Sequence, residues 1–347
     1  MNPYDFVRID RQQPLHKKQP SDHARFIGIT GKLEGTITTL TPLFIPRSTR
    51  DTPKRFQTNA AGQHIIPGSS LKGLIRTLVE TIGPGCERLL DEKANRSSSE
   101  KHSPCSQPDS FCIACRMFGL IFRETLLEGH VRFDDAVCNN PVPYGEMYTP
   151  ILGSPKQRHS VWYFAGPGGA ATGYKYYFHS RTVRTLSTIK ETADKKVKLN
   201  QHIAPIGINS VFTFSANFDN LSEDEWQILL FALVLEPAMR HKIGYAKPAG
   251  LGSIEVALTR IETIDMQRRY ISPDGGKTVH EGGMLQAYIR TQTQRFTADH
   301  TSVTLNDLRR IWQWPPPINV EYDYPTQEWF NKNPTAPISA THDAPKQ

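Results

Sequence analysis

Ile65-Ile-Pro-Gly-Ser-Ser-Leu-Lys-Gly-Leu-Ile-Arg76 is the stretch that decides the fold, because it leads from an extended segment into a helix. Ser69 or Ser70 is expected to cap the helix. Lys72 and Arg76 lie one turn apart on its polar face, and unpaired N–H groups at a helix start attract anions, so the segment has the chemistry of a phosphate-binding helix. A surface helix with solvated basic residues is the alternative. The helix prediction rests on a 3.6-residue apolar period at Leu71, Leu74, Ile75, Leu78, Val79 and Ile82.

Alternating apolar residues predict strands on both sides of this helix. Residues 27–37 precede it, and residues 130–136 follow it after an insertion. Residues 211–218 alternate again, Ser222-Glu-Asp-Glu225 is a capping box before a second apolar helix, and residues 254–258 form a closing strand. The order β-α-β, insertion, β-α-β predicts an α+β fold of the ferredoxin-like (RRM-like) type.

The chain divides into a core and two flanking segments. We expect an N-terminal arm over 1–26, the ferredoxin-like domain over 27–262, and a C-terminal extension over 263–347 whose proline-rich, polar end is disordered. Two insertions interrupt the domain: a Ser-, Pro- and Cys-rich loop at 84–116, and a basic, glycine-rich excursion at 153–200.

The composition is that of an ordinary globular protein. Of 347 residues, 38% are hydrophobic and 22% charged. No run approaches the roughly 18 apolar residues of a membrane span, and the start MNPYDFVRID lacks a signal-peptide core, so we expect a cytoplasmic protein with no membrane partner.

The net charge of +7 is concentrated in one segment. Residues 156–200 hold nine Lys or Arg against two acids, which equals the whole excess. The run Gly173-Tyr-Lys-Tyr-Tyr-Phe-His-Ser-Arg181 adds aromatic rings to this charge, a mixture suited to phosphates and stacked bases. A solvated basic loop or a packed aromatic strand is the alternative.

Three of the five cysteines fall within eleven residues. His102-x2-Cys105-x6-Cys112-x2-Cys115 offers four ligands for tetrahedral zinc, which would hold together a loop that lacks its own core. Cys86 could replace His102 as the fourth ligand, and three free thiols are the alternative to any metal. No open coordination position is indicated, so the predicted zinc is structural.

Several of these strings resemble the RAMP superfamily (repeat-associated mysterious proteins). IPGSSLKG is similar to the signature after the first strand of RAMP proteins, and Ile243-Gly-Tyr-Ala-Lys-Pro-Ala-Gly-Leu-Gly-Ser-Ile254 to their glycine-rich loop. Cys115-Arg-Met-Phe-Gly119 resembles the zinc-loop string of backbone subunits, and residues 173–181 a GxKFYWH string. The resemblance implies an RNA-binding backbone subunit of a type III CRISPR effector in antiviral defence, with guide RNA, target RNA and other effector subunits as partners.

The resemblance also implies site residues. The basic excursion corresponds by position to a thumb that crosses the guide. The residues expected to contact RNA are Arg47, Arg50, Lys54, Arg55, Ser69, Ser70, Lys72, Arg76, Lys175, Arg181 and Lys247.

An enzymatic role is the alternative to a pure binding role. In RAMP subunits that cut target RNA, an Asp lies about fifteen residues before IPGSS, where this chain has Asp51; it would act with Mg²⁺ or Mn²⁺. The usual Asp-Asn-Pro context is absent, and an exposed salt bridge is the simpler role for Asp51. Guide-processing ribonucleases of the superfamily use His or Tyr, for which His16, His23 and His64 are candidates.

Overall fold

The structure is a computed structural model that describes residues 1–10, 15–48, 51–87, 102–122, 124–152, 160–164, 171–195, 197–299 and 302–346. Arg50 lies outside these residues, as do parts of both predicted insertions. The helices are α1 (Gly68–Ile82), α2 (Ile113–Phe118), α3 (Ser160–Tyr163), α4 (Glu223–Val234), α5 (Gly282–Asp299), α6 (Val303–Ile311) and α7 (Gln327–Lys332). The strands are β1 (Tyr4–Arg8), β2 (Ile29–Thr39), β3 (Ile65–Ile66), β4 (Leu120–Phe122), β5 (Thr125–Leu127), β6 (Val131–Phe133), β7 (Ala136–Asn140), β8 (Met147–Tyr148), β9 (Gly173–Tyr177), β10 (His202–Ile203), β11 (Val211–Leu221), β12 (His241–Lys242), β13 (Ser253–Ile264) and β14 (Lys277–Glu281).

One antiparallel sheet forms the centre of the protein. β13 pairs with β2, β2 with β11, and β11 with β6 and β7. Counted along the chain, the core strands therefore lie in the order fourth, first, third, second. α1 connects the first core strand to the second, and α4 connects the third to the fourth, which is the split β-α-β arrangement. The predicted α+β fold is confirmed.

The second core helix, α4, begins and packs as its sequence predicts. The backbone N–H of Ser222 donates to the Glu225 carboxylate at 3.0 Å, so the capping box is confirmed. α4 is apolar on nearly every side because α5 covers the face that the sheet leaves open. Phe231 of α4 packs on Phe296 of α5 with ring centroids 4.8 Å apart.

The start of α1 differs from the prediction. Neither Ser69 nor Ser70 caps it, because the helix begins at Gly68 with Pro67 at the N-cap position. The backbone N–H of Gly68 donates instead to Oδ1 of Asp135, at 2.8 Å. The carboxylate of Asp135, in the turn before β7, therefore occupies part of the anion-binding position at the start of α1 where we predicted a phosphate.

The basic excursion contains a strand that belongs to the body of the protein. β9 pairs antiparallel with β1, with Tyr4 opposite Tyr177 and Arg8 opposite Gly173. Tyr176 and Phe178 are buried, so the aromatic run is a packed strand. The N-terminal arm and residues 173–177 of the excursion thus form one two-stranded ribbon, which agrees with the packed aromatic strand given above as an alternative.

The C-terminal extension is folded through its described residues. β14 extends the sheet at β13, and α6 packs on β1. We expected a disordered end, yet Phe330 of α7 packs on Trp162 with ring centroids 5.6 Å apart. No helix among the described residues is long and apolar enough to cross a membrane.

Candidate functional site

A cleft of about 530 Å³ opens where three predicted motifs meet. One wall is the α1 face of Ser70, Gly73 and Thr77, another is the start of the glycine-rich loop, and the third is β9. These segments are far apart in sequence, and the pairing of β9 with β1 brings the aromatic run to the other two. The cleft is therefore the place where the sequence signals converge.

Three lysines line this cleft, and no acidic side chain is among its lining residues. We call Lys175, Lys242 and Lys247 the lysine triad. Burial lowers the pKa of Lys175 to about 8. Burial and the nearby positive charge of Lys247 together lower the pKa of Lys242 to about 7. The pKa of Lys247 is also lowered by burial. Desolvated ammonium groups without a carboxylate nearby favour an anionic ligand.

Neutral groups fix the position of each triad lysine. The Nζ of Lys175 lies 3.6 Å from the centroid of the Tyr4 ring, a cation–π contact. The Nζ of Lys247 donates to the carbonyl oxygen of Gly244 at 2.6 Å. The Nζ of Lys242 donates to Oγ of Ser253 at 3.3 Å. None of these partners neutralises the charge. Lys175 and Lys247 are half-buried and can reach a ligand, whereas Lys242 is buried and acts on a ligand through its charge.

A chain of hydrogen bonds connects Lys242 through Ser253 and His179 to the backbone of Arg240. The Nε2 of His179 lies 2.9 Å from the carbonyl oxygen of Arg240, which can only accept, so Nε2 carries the proton. Nδ1 of His179 therefore accepts from the Ser253 hydroxyl at 2.8 Å, and that hydroxyl oxygen accepts from Lys242. Burial holds the pKa of His179 well below its usual value, so its imidazole stays neutral. Nδ1 therefore remains an acceptor, and each hydrogen bond in the chain keeps the same donor.

Lys72 and Arg76 do not line the cleft. The helix presents Ser70, Gly73 and Thr77 to it, whereas Lys72 and Arg76 lie on another face of α1. Arg76 is committed within the protein: its Nε donates to Glu80 at 2.8 Å and its Nη1 to the carbonyl oxygen of Gly119 at 2.8 Å. Burial lowers the pKa of Lys72, whose ammonium has no ion-pair partner in the described part of the chain.

The glycines of the glycine-rich loop are needed by the protein itself. Gly250 and Gly252 have φ values of 98° and 85°, in the left-handed region that favours glycine. A Cβ at Gly252 would lie 1.9 Å from the carbonyl oxygen of Ile243, and one at Gly250 would lie 2.3 Å from that of Thr182. Glycines in such a loop would allow an RNA backbone to approach closely, but here the close approach of the protein's own backbone explains them.

Four buried cysteines converge beside α1. The sulfur atoms of Cys86, Cys105, Cys112 and Cys115 all lie within 4.8 Å of one another. The Sγ atoms of Cys86 and Cys115 are 3.7 Å apart, too far for a disulfide bond. Four ligands about 2.3 Å from a tetrahedral zinc lie about 3.8 Å from each other, so the spacing fits that ion. We call these residues the cysteine cluster; it can hold a metal ion such as zinc.

His102 is replaced by Cys86 in the cluster. The His102 side chain is buried, with Nδ1 3.5 Å from the carbonyl oxygen of Gly85, and it is not part of the group of converging ligands. The sequence left this choice open because residues 88–101 separate Cys86 from the compact motif. Only the path of the chain brings Cys86 back to it.

The four thiols differ in their tendency to ionise. Hydrogen bonds from the thiols of Cys105, Cys115 and Cys86 hold the pKa of Cys112 well below its usual value, and the pKa of Cys105 is also lowered, whereas hydrogen bonds within the cluster raise the pKa of Cys86 and Cys115. The backbone N–H of Cys112 donates to the Sγ of Cys105 at 3.2 Å. A thiolate is the form that binds metal, and N–H donors stabilise it.

The basic loop before α1 borders a second, open groove. Arg47, Arg55 and His64 line it, and Arg55 approaches Glu146 at 3.7 Å. Lys54 forms a bridge with Ile203, which ties the loop to β10. Asp51 is exposed in this loop and belongs to neither group of potential metal ligands in the described residues.

The remaining predicted residues lie elsewhere. Arg181 donates from Nε to the carbonyl oxygen of Pro316 at 2.8 Å and does not line the cleft. Ser69 is exposed, next to the cleft-lining Ser70. His16 and His64 line different pockets, and His23 pairs with Asp219, so the three histidines share no site.

A family model described as the RAMP superfamily matches residues 36–255. The chain belongs to the RAMP superfamily. The matched region includes α1, the cysteine cluster and the start of β13, and so contains most of the cleft. RAMP proteins are CRISPR-associated subunits that bind RNA and work in complexes with other subunits, and this chain shares that role. No curated protein matches the chain.

Lys242 is the cleft residue that the sequence did not reveal. It precedes Ile243, the first residue of the glycine-rich string, and it is 2% exposed. A lysine that follows Arg240 and His241 in a short strand gives no signal of burial. Its position became evident only with the pairing of β12 and β13.

Proposed function

We propose that this chain is a guide-RNA-binding backbone subunit of a type III CRISPR effector and that the cleft holds the RNA backbone. The lysine triad supports this most directly: three cations meet in a cleft lined by no acid, which suits phosphate. Tyr177 and Tyr245 also line the cleft and offer rings for stacking. The remaining partners are target RNA and neighbouring effector subunits.

The proposal assigns roles to the two insertions. Lys190, Lys195 and Lys198 are exposed in the second half of the excursion, which acts as the thumb-like element that contacts RNA or a neighbour. The cysteine cluster holds a structural zinc through its four thiolates. When bound, that ion would supply only a fixed tetrahedral crosslink, because all four positions are taken by the protein.

Salt dependence of RNA binding tests the role of the triad. We compare the wild type with the Lys175→Gln, Lys247→Gln double variant, and use Lys277→Gln, Lys332→Gln as control, since both control lysines are exposed and paired with glutamates. Each lost phosphate contact should reduce the slope of log affinity against log salt by about 0.7. Equal slopes in the two double variants would overturn the proposal.

Purification with co-expressed effector subunits tests the class. RNA recovered from the complex should consist of guides that share a repeat-derived tag. Recovery of random cellular RNA would contradict a guide-binding role and would indicate that the chain binds RNA without selecting guides.

Target-RNA cleavage by Asp51 is the second candidate. Its favouring observation is that Asp51 is exposed in a basic loop beside the groove of Arg47 and Arg55. An effector complex that carries Asp51→Asn, assayed with guide RNA, target RNA and Mg²⁺, should then bind the target RNA normally but fail to cleave it at one position. Unchanged cleavage at every position would end this candidate. Guide processing has less support because His16, His23 and His64 do not converge.

A further inference from the structure

Two histidines and an aspartate converge near the end of β11, and none of them belongs to the cysteine cluster or lines the cleft. Nδ1 of His23 lies 3.0 Å from Oδ2 of Asp219, and Nδ1 of His130 lies 2.9 Å from the same oxygen. The two imidazole rings stack with centroids 4.1 Å apart. His23 belongs to the segment before β2, His130 precedes β6, and Asp219 lies on β11. Three separate parts of the chain therefore direct a potential metal ligand to one point.

From this geometry, we propose that His23, His130 and Asp219 form a second metal site that binds a divalent transition-metal ion such as zinc. Two imidazole nitrogens and one carboxylate oxygen are a ligand set that first-row transition metals prefer. Ligands about 2.0–2.2 Å from a tetrahedral zinc lie about 3.4 Å apart. Without the ion, both Nδ1 atoms lie at hydrogen-bond distance from Asp219, 2.9 and 3.0 Å, so the three ligand atoms have to separate by only a few tenths of an ångström to admit it. Unlike the cysteine cluster, this site leaves coordination positions open to water.

The segment that carries His23 is already held in place. Asn220, the residue after Asp219, is 1% exposed and directs its whole side chain to this segment. Its Nδ2 donates to the carbonyl oxygens of Asp22 and Arg25, both at 2.7 Å. Its Oδ1 accepts from the N–H groups of Ile27 and Gly28 at 2.9 and 2.7 Å. Binding an ion therefore has only to restrict the remaining opening of this segment, which keeps the entropic cost low.

The ligands differ in how much they can move. The His130 side chain is 1% exposed and Asp219 is 22% exposed, so both are held by the sheet. The rings lie 14° from parallel, and an ion shared by both Nδ1 atoms requires them to tilt. His23, whose side chain is 35% exposed, has room to make that adjustment. Each Nδ1 must lose its proton to bind the ion, so Nε2 carries the proton in the bound form.

The metal would fasten the segment around His23 to β6 and β11. Arg25, two residues after His23, is exposed and is a site for trypsin. Occupancy of the site should therefore protect the chain from cleavage after Arg25. This gives a readout that is independent of RNA binding and of the cysteine cluster.

The test is metal content after dialysis of the full-length protein against Zn²⁺. Wild type should retain one more zinc equivalent per chain than His23→Ala or Asp219→Asn, and zinc should slow trypsin cleavage after Arg25 only in the wild type. His342→Ala, an exposed histidine outside any ligand group, is the control and should match the wild type. Asp219→Asn keeps the side-chain shape and remains informative if His23→Ala misfolds.

Cobalt substitution separates the two sites. Co²⁺ in the cysteine cluster gives sulfur-to-cobalt absorption, whereas a His–His–Asp site gives none, so His23→Ala should lose a cobalt equivalent while the sulfur band persists. Equal metal content in wild type, His23→Ala and Asp219→Asn overturns the proposal. So does equal trypsin cleavage with and without zinc in the wild type.

Discussion

The guanidinium group of Arg76 lies 3.8 Å from the Sγ of Cys115, measured from Nη2. The same side chain contacts Glu80 on its own helix and the carbonyl oxygen of Gly119 after α2. Arg76 thus joins α1, which forms a wall of the lysine cleft, to the cysteine cluster. Its sequence motif suggested a phosphate contact, but its three contacts within the protein make it a positioning residue for the cluster.

Arg76→Gln should weaken zinc binding by about 10–100-fold, the usual cost of removing a partner of a metal ligand. The measurement is competition for zinc with a chelator of known affinity. Arg132→Gln is the matched control, because that arginine is 60% exposed and forms an ion pair with exposed Glu128. The salt slope of RNA binding should stay unchanged in Arg76→Gln, and a reduced slope would restore Arg76 to the RNA-binding set.

RNA affinity should fall as pH rises from about 6 to about 9, because an RNA phosphate needs the protonated form of Lys242, whose pKa is about 7. Fluorescence anisotropy at several pH values measures this. Lys242→Arg stays charged and should remove the part of the fall near pH 7, leaving the part near pH 8 that Lys175 contributes. An unchanged fall near pH 7 in that variant would show that Lys242 is not the group that titrates there.

The same pKa shift predicts an opposite trend in stability. Lys242 has a lowered pKa in the folded protein and an ordinary value of 10.5 when unfolded, so the unfolded state binds more protons between these values. The free energy of unfolding of the RNA-free protein should therefore rise with pH across that window. Denaturant titrations of wild type and Lys242→Met provide the comparison, and the variant should lack this contribution.

Gly73→Ala should stabilise the fold and weaken RNA binding. Gly73 lies inside α1, and a Cβ there meets no atom within 4 Å in the described protein. Alanine in a helix is favoured over glycine by about 1 kcal/mol, so the free energy of unfolding should increase. Gly73 also lines the cleft, where a methyl group would obstruct a closely bound RNA backbone.

Gly283→Ala is the control for this variant. Gly283 is also helical, with open space around its Cβ position, but it lies on α5 away from the cleft. It should gain stability without a change in RNA affinity. The same affinity in Gly73→Ala and wild type would mean that RNA does not approach this face of α1.

Removing zinc should lower the stability of the whole protein. Phe111 and Met117, beside the cysteine cluster, belong to the main hydrophobic core, and α2 packs on α1. We therefore expect a chelator, or Cys112→Ser with Cys115→Ser, to lower the single unfolding temperature measured by circular dichroism. Cys138→Ala, at the fifth cysteine, should leave the response to chelator intact. Proteolysis confined to 84–116 with an unchanged unfolding temperature would contradict this.

Local patterns in the sequence were sufficient for the core. The apolar period of α1, the alternation in β2 and β11, and the Ser222–Glu225 capping box depend on neighbouring residues, and the structure confirms each. The N-cap of α1 could not be predicted in this way. Its donor is satisfied by Asp135, which is 67 residues further along the chain.

The candidate site depended more on long-range contacts. Lys175 and Lys247 were predicted to contact RNA, and both line the cleft. The position of Lys242 in the cleft was not evident from the sequence, because it depends on the pairing of β12 with β13. The choice of Cys86 over His102 as the fourth ligand was left open, because it depends on the path of the chain between distant residues. The helix motif and the family resemblance placed Arg76 among the RNA-binding residues, and only its distances to Gly119 and Cys115 assign it to contacts within the protein.

The ribbon of β1 and β9 has a consequence for the boundaries of the functional unit. Residues 36–255 carry the family match, yet Tyr4, which supports the Lys175 ammonium, lies outside them. A protein trimmed to that region would leave the β9 edge unpaired and cut β2 and β13 partway through. The smallest piece expected to bind RNA like the whole chain is therefore much longer than the piece that identifies its family.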